Sequence, residues 1–539
     1  MADQLGLHVW TRRTLLHVLS LLPFVGTSAC RAGEDGGLPG PSAPALKPLI
    51  DVHCHLFNVT DLPAARFTQT VMLKNYAHRG PLRPWELALT KALNTIERLL
   101  QTGVVRAQAE AAAAPGLADQ TMELTPTEET SLAKAQADAQ QALAEGHAEG
   151  LGTVTRSDCE RSSGLSPNLK SVVGWLRSLR SSRRALAREL VAANHASGFE
   201  AKLLCPALVD YSHWLDAPLT SPIPDQMVAA ARLSRDPVLP AVHGYMAYDP
   251  LRRALFRAGK LRPGDDWDPL AIVKDALVDH GFLGVKVYPP MGFRASGNAG
   301  AGQTYPPKVE DAFGGSDPTG RAIDEALDEL WQLCVDLDAP VLAHAANSNM
   351  AGFNFGRRAD PSYWLPVADH HPHLRIVLGH FGRFGTYADG QAPGGSCSGD
   401  VPFAKTWEAA FGRYIRARPE CRLYADISFL SDIFRPQERK RAQGGLRAYL
   451  AAFDPAGRHL VYGSDWVMLG IEKEYPRRGG YPHRVADFLT ECGLNDEAVA
   501  GVMQNNALRC LGLDGPTGLR RRLEAFLSRN GLPASRLPG

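Results

Sequence analysis

From residue 201 onward, short apolar runs alternate with loops and amphipathic stretches. The runs are Lys202–Val209, Val238–Tyr245, Gly284–Tyr288, Pro340–His344, Arg375–His380, Arg422–Ile427 and His459–Gly463. An earlier run at 49–56 brings the number to eight. Short apolar runs bounded by turn residues read as buried strands, and periodic stretches such as Ala322–Leu337 read as helices. The spacing between runs leaves room for a crossover helix each time. Eight strands alternating with helices predict an α/β fold closed as a (β/α)8 TIM barrel. An open doubly wound sheet is the alternative, although no Gly-rich phosphate turn follows the first strand.

Between the first and second runs the pattern changes. Ala, Leu, Arg and Glu recur at helical spacing over 85–101, 128–147 and 169–196, broken by Pro115-Gly116 and by the Gly/Ser/Asp-containing stretch 148–168. This predicts a mostly helical insertion over 59–200, between strands one and two. The predicted organisation is an N-terminal signal over 1–30, a Gly/Pro/Ala/Ser-rich flexible linker over 31–48, the barrel over 49–514 and a C-terminal tail helix over 515–539.

The N-terminus reads as an address. Arg12-Arg13 stand directly before the apolar run Leu15–Val25, too short to span a bilayer but suited to a signal h-region. The segment resembles a twin-arginine export signal, a route that carries folded proteins and allows a metal to be loaded first. Thr27-Ser28-Ala29 before Cys30 resembles a lipoprotein processing site with Cys30 lipidated, and cleavage after Ala29 is the alternative. The expected location is therefore periplasmic, or membrane-anchored through Cys30.

Composition narrows the classes. Hydrophobic residues make up 45% and charged residues 21%, ordinary for a soluble globular protein. The net charge of +1 gives no electrostatic support for nucleic-acid binding. Nine cysteines in 539 residues, with no CxxC pair, do not form a disulfide scaffold. The length itself is explained if a signal, a linker and an insertion surround a single barrel. A homodimer is compatible with this organisation.

The strand ends carry the chemistry, because a barrel of this kind builds its site at the C-terminal ends of its strands. Run one ends in His53-Cys54-His55, run five in His344, run six in His380 and run eight leads to Asp465, while run four contains Lys286. Side chains alternate faces along a strand, so His53 and His55 point together into the mouth and Cys54 points away. A His-x-His pair alone is weak evidence, and His371-Pro372-His373 is a second, read as a turn at the opposite end. The set is stronger: imidazoles and a carboxylate from different strands make a nitrogen/oxygen site that suits zinc, with manganese or iron as alternatives.

Asp51-Val52-His53-Cys54-His55, Gly284-Val285-Lys286-Val287-Tyr288-Pro289-Pro290, Leu342-Ala343-His344, Leu378-Gly379-His380 and Tyr462-Gly463-Ser464-Asp465-Trp466 together resemble the amidohydrolase superfamily. The similarity is closest to its amidohydrolase-related branch of metal-dependent hydrolases and non-oxidative decarboxylases. It extends to Asn505–Leu513 and does not cover the helical insertion. It departs at Val467, where many members carry Pro. The resemblance implies His53, His55, His344 and Asp465 as metal ligands and His380 as the acid/base or polarising group, with Asp465 also accepting a proton from water. In two-metal members the strand-four Lys is carbamylated and bridges the metals. In one-metal members the strand-six His is free for catalysis. The expectation is one divalent metal, with Lys286 bridging a second metal or contacting substrate as the other readings.

Three functions follow. The leading one is hydrolysis of an amide, lactone or other ester, or cyclic C–N bond in a small organic substrate. The second is decarboxylation of an unsaturated or aromatic acid, with Arg294 and Arg383 beyond strand ends as partners for the carboxylate. The third is a non-catalytic, tethered metal- or ligand-binding lipoprotein. Tyr288 and Asn347, just past strand ends, are candidate substrate contacts.

Overall fold

The computed structural model describes residues 45–112, 120–148, 169–300, 302–381, 403–472, 475 and 479–539. The expected export signal with Cys30, most of the expected linker, and Arg383 lie outside them. Residues Leu46–Gly539 form one compact unit.

Each apolar run is a buried strand. They are β1 (Lys47–Cys54), β2 (Phe199–Pro206), β3 (Ala241–Val242), β4 (Tyr245–Ala247), β5 (Gly284–Val287), β6 (Val341–His344), β7 (Ile376–Gly379), β8 (Leu423–Asp426) and β9 (Leu460–Val461). Neighbouring strands pair in parallel in two ladders, β1-β2-β3 and β4-β5-β6-β7-β8-β9. The third run is one stave interrupted at His243-Gly244, which makes β3 and β4. A Cβ on Gly244 would lie 2.6 Å from the Pro206 carbonyl oxygen, so the close approach of β2 requires glycine there. Backbone hydrogen bonds span both breaks. Leu208 N donates to Tyr245 O at 3.0 Å, and on the other side Val52 N donates to Tyr462 O at 3.1 Å. The last strand thus lies beside the first, and the α/β TIM barrel expected from the sequence holds, with eight staves.

The interior of the barrel is apolar and continuous with its floor. Ile50, Val52, Leu203, Cys205, Leu342, Val377 and Val461 form one cluster with Leu519, Leu523, Phe526 and Leu527 of the C-terminal helix Gly518–Arg529. That amphipathic helix closes the N-terminal end of the barrel. The six described cysteines, Cys54 and Cys205 among them, are free thiols. No helix among the described residues is long and apolar enough to cross a membrane.

Between β1 and β2 stand the helices Pro84–Gln101, Pro126–Ala148, Leu169–Ser178 and Arg183–Ala196. Trp85, Leu89, Leu93, Ile96 and Leu100 of the first share a core with Leu132, Ala135, Ala139 and Ala142 of the second. This 3–4 spacing is what the sequence pattern displays. The expected single helix over 169–196 is two, because Leu179–Ser182 leave the helix and Ser182 caps the next one through Ala185 N. Within the insertion, the buried Arg183 pairs with Asp61 and Glu110 and ties its distant segments together. The insertion also touches the barrel mouth, where Trp175 Nε1 donates to Val467 O at 3.1 Å.

Candidate metal centre

The first strand reaches the site through an irregularity. Ile50 and Val52 face the barrel interior, so strict alternation would turn His53 and His55 away from it. The pairing register with β2 slips between Asp51 and Cys54, and beyond the slip His53 and His55 face the mouth. Asp51 locks this turn: its Oδ1 accepts from His53 N at 3.2 Å and from Ser464 N at 3.0 Å, joining the ends of β1 and β9. Burial raises the Asp51 carboxyl to about 7.

Four strand ends meet around this point. The ring of His380 lies 4.9 Å from that of His53 and 4.5 Å from that of His344. Ligand atoms of His53, His380 and Asp465 all lie within 4.8 Å of one another. His380 and Asp465 both have left-handed backbone, at φ 65° and 54°. Non-glycine residues rarely adopt this region, and such strain concentrates where function fixes the side chain.

Hydrogen-bond partners assign the protons. His53 Nδ1 faces Asp426 Oδ2 at 2.8 Å and therefore donates, leaving Nε2 as an acceptor. Lys286 Nζ donates to that Nε2 at 3.0 Å. His55 Nδ1 donates to Ala207 O at 2.8 Å, and its Nε2 stands 3.2 Å from Asp465 Oδ1. That carboxylate oxygen is buried and has no hydrogen-bond partner, and His53 Nε2 stands 3.7 Å from it. His344 Nδ1 is likewise buried without a partner.

Electron-rich nitrogen and oxygen atoms thus converge with too few protons between them, an arrangement that a cation would stabilise. Burial lowers His53, His344 and His380, the last to about 3, so the imidazoles stand in the neutral form that binds metal. Burial brings Lys286 down to about 8, with the charges of Asp426 and Asp465 opposing the fall. On donor chemistry and protonation the residues fit a divalent ion.

The structure gathers His53, His55, Lys286, His344, His380 and Asp465, all nearly inaccessible to solvent. Tyr288 joins them, its ring stacked on His344 at 4.3 Å and its hydroxyl accepting from Asn349 Nδ2 at 3.0 Å. Asn347 packs against Gly356 in the loop after β6. Arg294 is not brought to the imidazoles by any contact; its guanidinium lies 4.6 Å from the centre of the Tyr363 ring. His371 and His373 sit in the turn that leads into β7, at the far end of that strand.

Two residues were not singled out from the sequence. Asp426 accepts from His53 Nδ1 and, through Oδ1, from His380 N at 2.9 Å. Ser428 Oγ stands 3.1 Å from His53 Nδ1 and 2.9 Å from His380 Nδ1. A signal existed for Asp426, which ends the seventh run as Asp465 follows the eighth. Ser428 carried none, because its position depends on the turn beyond β8.

Residues 249–513 match the family model described as amidohydrolase. No curated protein sequence matches the chain. Among solved structures, similarity extends to an uncharacterised TIM-barrel protein from Bordetella bronchiseptica, at 15% identity and a TM-score of 0.36 over 66% of this chain and 89% of that one. An amidohydrolase from Burkholderia multivorans with bound zinc is 17% identical, with a TM-score of 0.36 over 63% and 91% of the two chains. A protein from Lactobacillus casei described as a metal-dependent hydrolase is 14% identical, with a TM-score of 0.38 over 88% and 96%.

Proposed function

Because residues 249–513 place this chain in the amidohydrolase superfamily, we propose that it is a metal-dependent hydrolase acting on an amide, lactone or other ester, or cyclic C–N bond of a small organic substrate. The observation that carries this reading is the gathering of His53, His55, His344, His380 and Asp465 at the strand ends, with ligand atoms of His53, His380 and Asp465 within 4.8 Å of one another and His55 Nε2 3.2 Å from Asp465 Oδ1. In this reading His53, His55, His344 and Asp465 hold one divalent ion, zinc by its nitrogen/oxygen donors. The ion would supply a Lewis acid and lower the pKa of a water from 15.7 toward ~7.

The protein's own groups do the rest. Asp465 Oδ1 carries no hydrogen bond and can take a proton from the attacking water. His380 is held neutral by burial, so it works as a proton acceptor or as a neutral hydrogen-bond donor to the developing oxyanion, not as a resident imidazolium. Ser428 fixes its Nδ1 side, which leaves Nε2 for the substrate. Lys286 places positive charge beside the site and would cede the His53 Nε2 lone pair to the ion.

A screen of amide, lactone and cyclic-amide substrates with metal-loaded protein tests the reading. The expected result is turnover with solvent oxygen in the product, lost in the His53→Ala/His55→Ala protein; carbon dioxide release without oxygen incorporation would replace it with decarboxylation. Metal content separates two neighbours of the site. His344→Ala is expected to lose metal and His380→Ala to keep it.

We also propose that the protein is exported, periplasmic or anchored through Cys30. The support is Arg12-Arg13 before the apolar run Leu15–Val25. Cell fractionation is expected to find it outside the cytoplasm and to find Arg12→Lys/Arg13→Lys retained within.

A further inference from the structure

A second site stands apart from the imidazoles. A cavity of about 600 Å³ lies where the helix Pro84–Gln101 meets the segment after β1 and the loop after β2. None of His53, His55, His344, His380 or Asp465 lines it. Three arginines do: Arg66, Arg98 and Arg106.

Several guanidinium groups of this protein are matched by carboxylates, as in Arg183 with Asp61, Arg252 with Asp210 and Arg375 with Asp338. Here they are not. Arg66 Nη1 donates to the neutral Gln69 Oε1 at 3.3 Å. Arg98 and Arg106 have no side-chain hydrogen bond or ion pair among the described residues. Two carboxylates also line the cavity, fewer than the three guanidinium groups. Glu97 Oε1 accepts from Ala64 N at 2.7 Å, and Asp216 pairs with Lys308. The lining therefore keeps an uncompensated positive charge in a chain whose net charge is only +1.

The walls are fixed before any ligand arrives. Thr60 Oγ1 and Ser221 Oγ are 2.8 Å apart, Asn58 Nδ2 donates to Val105 O at 2.9 Å, and Thr220 Oγ1 donates to Gln101 Oε1 at 2.9 Å. These bonds tie the three wall segments to one another. A rigid, concave site with forked donors suits a multiply charged planar or tetrahedral anion, and the volume is that of a small-molecule site.

We propose that this cavity binds a small organic polyanion, a polycarboxylate or a phosphate ester, held by Arg66, Arg98 and Arg106 at the junction of insertion and barrel. Isothermal titration of the metal-loaded protein with inorganic phosphate and with propane-1,2,3-tricarboxylate tests it. At least one probe is expected to bind saturably at one site per chain, more weakly as salt rises. Arg98→Gln/Arg106→Gln is expected to weaken that binding by about tenfold or more, with metal content and Tm unchanged. Arg66→Gln serves as a second, independent variant. The stronger probe identifies the anion class. Absence of saturable binding by either probe up to about 10 mM, or equal binding by the arginine variants, would overturn the proposal. Neither outcome bears on the hydrolase reading, since the two sites share no residue.

Discussion

Asp426 orders the metal centre without belonging to the set of converging ligand atoms. One of its oxygens takes the His53 Nδ1 proton, and the other holds the His380 backbone where its φ is positive. Outer carboxylates of this type fix the tautomer and orientation of a ligating imidazole. Asp426→Asn keeps the volume but removes the charge and one acceptor oxygen. Its metal affinity, measured by chelator competition, is expected to fall about 10–100-fold. An unchanged affinity would show that His53 is oriented by Lys286 and Ser428 alone. The same scale explains what was hidden in the sequence. His53, His344 and Asp465 sit where alternating runs end. Ser428 is two residues past a strand, and only the turn there brings its hydroxyl between two imidazoles.

At the scale of elements, the insertion acts on the mouth of the barrel. Phe67 stacks on Tyr211 at 5.7 Å between ring centres, and Tyr211 meets Tyr288 edge to face at 5.0 Å. Tyr288 in turn stacks on His344. A row of aromatic contacts thus runs from the insertion to a strand-end histidine. On the other side, the Trp175 indole holds the carbonyl of Val467, two residues beyond Asp465. Trp175 is fully buried, so Trp175→Ala is expected to destabilise the protein by about 3–5 kcal/mol. Trp175→Phe keeps most of the packing and removes the donor, which is expected to lose about 1 kcal/mol. Hydrogen exchange over 465–472 reads the local effect: it is expected to speed up in Trp175→Phe. Unchanged exchange would mean that the loop is held by its own turn.

For the molecule as a whole, the floor of the barrel sets a pH limit on stability. His243 lies in the interrupted third stave, donates Nδ1–H to Gly281 O at 2.8 Å and meets Phe526 of the closing helix edge to face. Burial lowers it to about 4. The folded protein therefore refuses a proton that the unfolded chain takes near pH 6.5. Stability is full above that pH, falls as pH drops toward 4 and is constant below. At pH 5 the loss from this residue is about 2 kcal/mol. Urea unfolding of wild type and His243→Gln at pH 7 and pH 5 checks this. The wild type is expected to lose more stability over that interval, and equal losses would assign the acid sensitivity elsewhere.

The division between sequence and tertiary structure follows from the range of the forces involved. Apolar runs at regular spacing determine eight staves by themselves, since burial of a strand depends on its own residues and on crossover length. The runs also carry the residue types of the site at their ends, because a parallel barrel aligns all C-terminal strand ends on one face. Tertiary structure decided the rest. The register slip that turns His53 and His55 inward depends on how β1 pairs with β2, a strand about 150 residues away in the chain. The pairing of Asp426 with His53 depends on strands that are adjacent only once the barrel has closed. The junction cavity depends on three segments tied by side-chain hydrogen bonds. Local periodicity can place a residue on a face. Which groups then meet across the fold, and with which protons, is set by contacts that no single stretch of sequence contains.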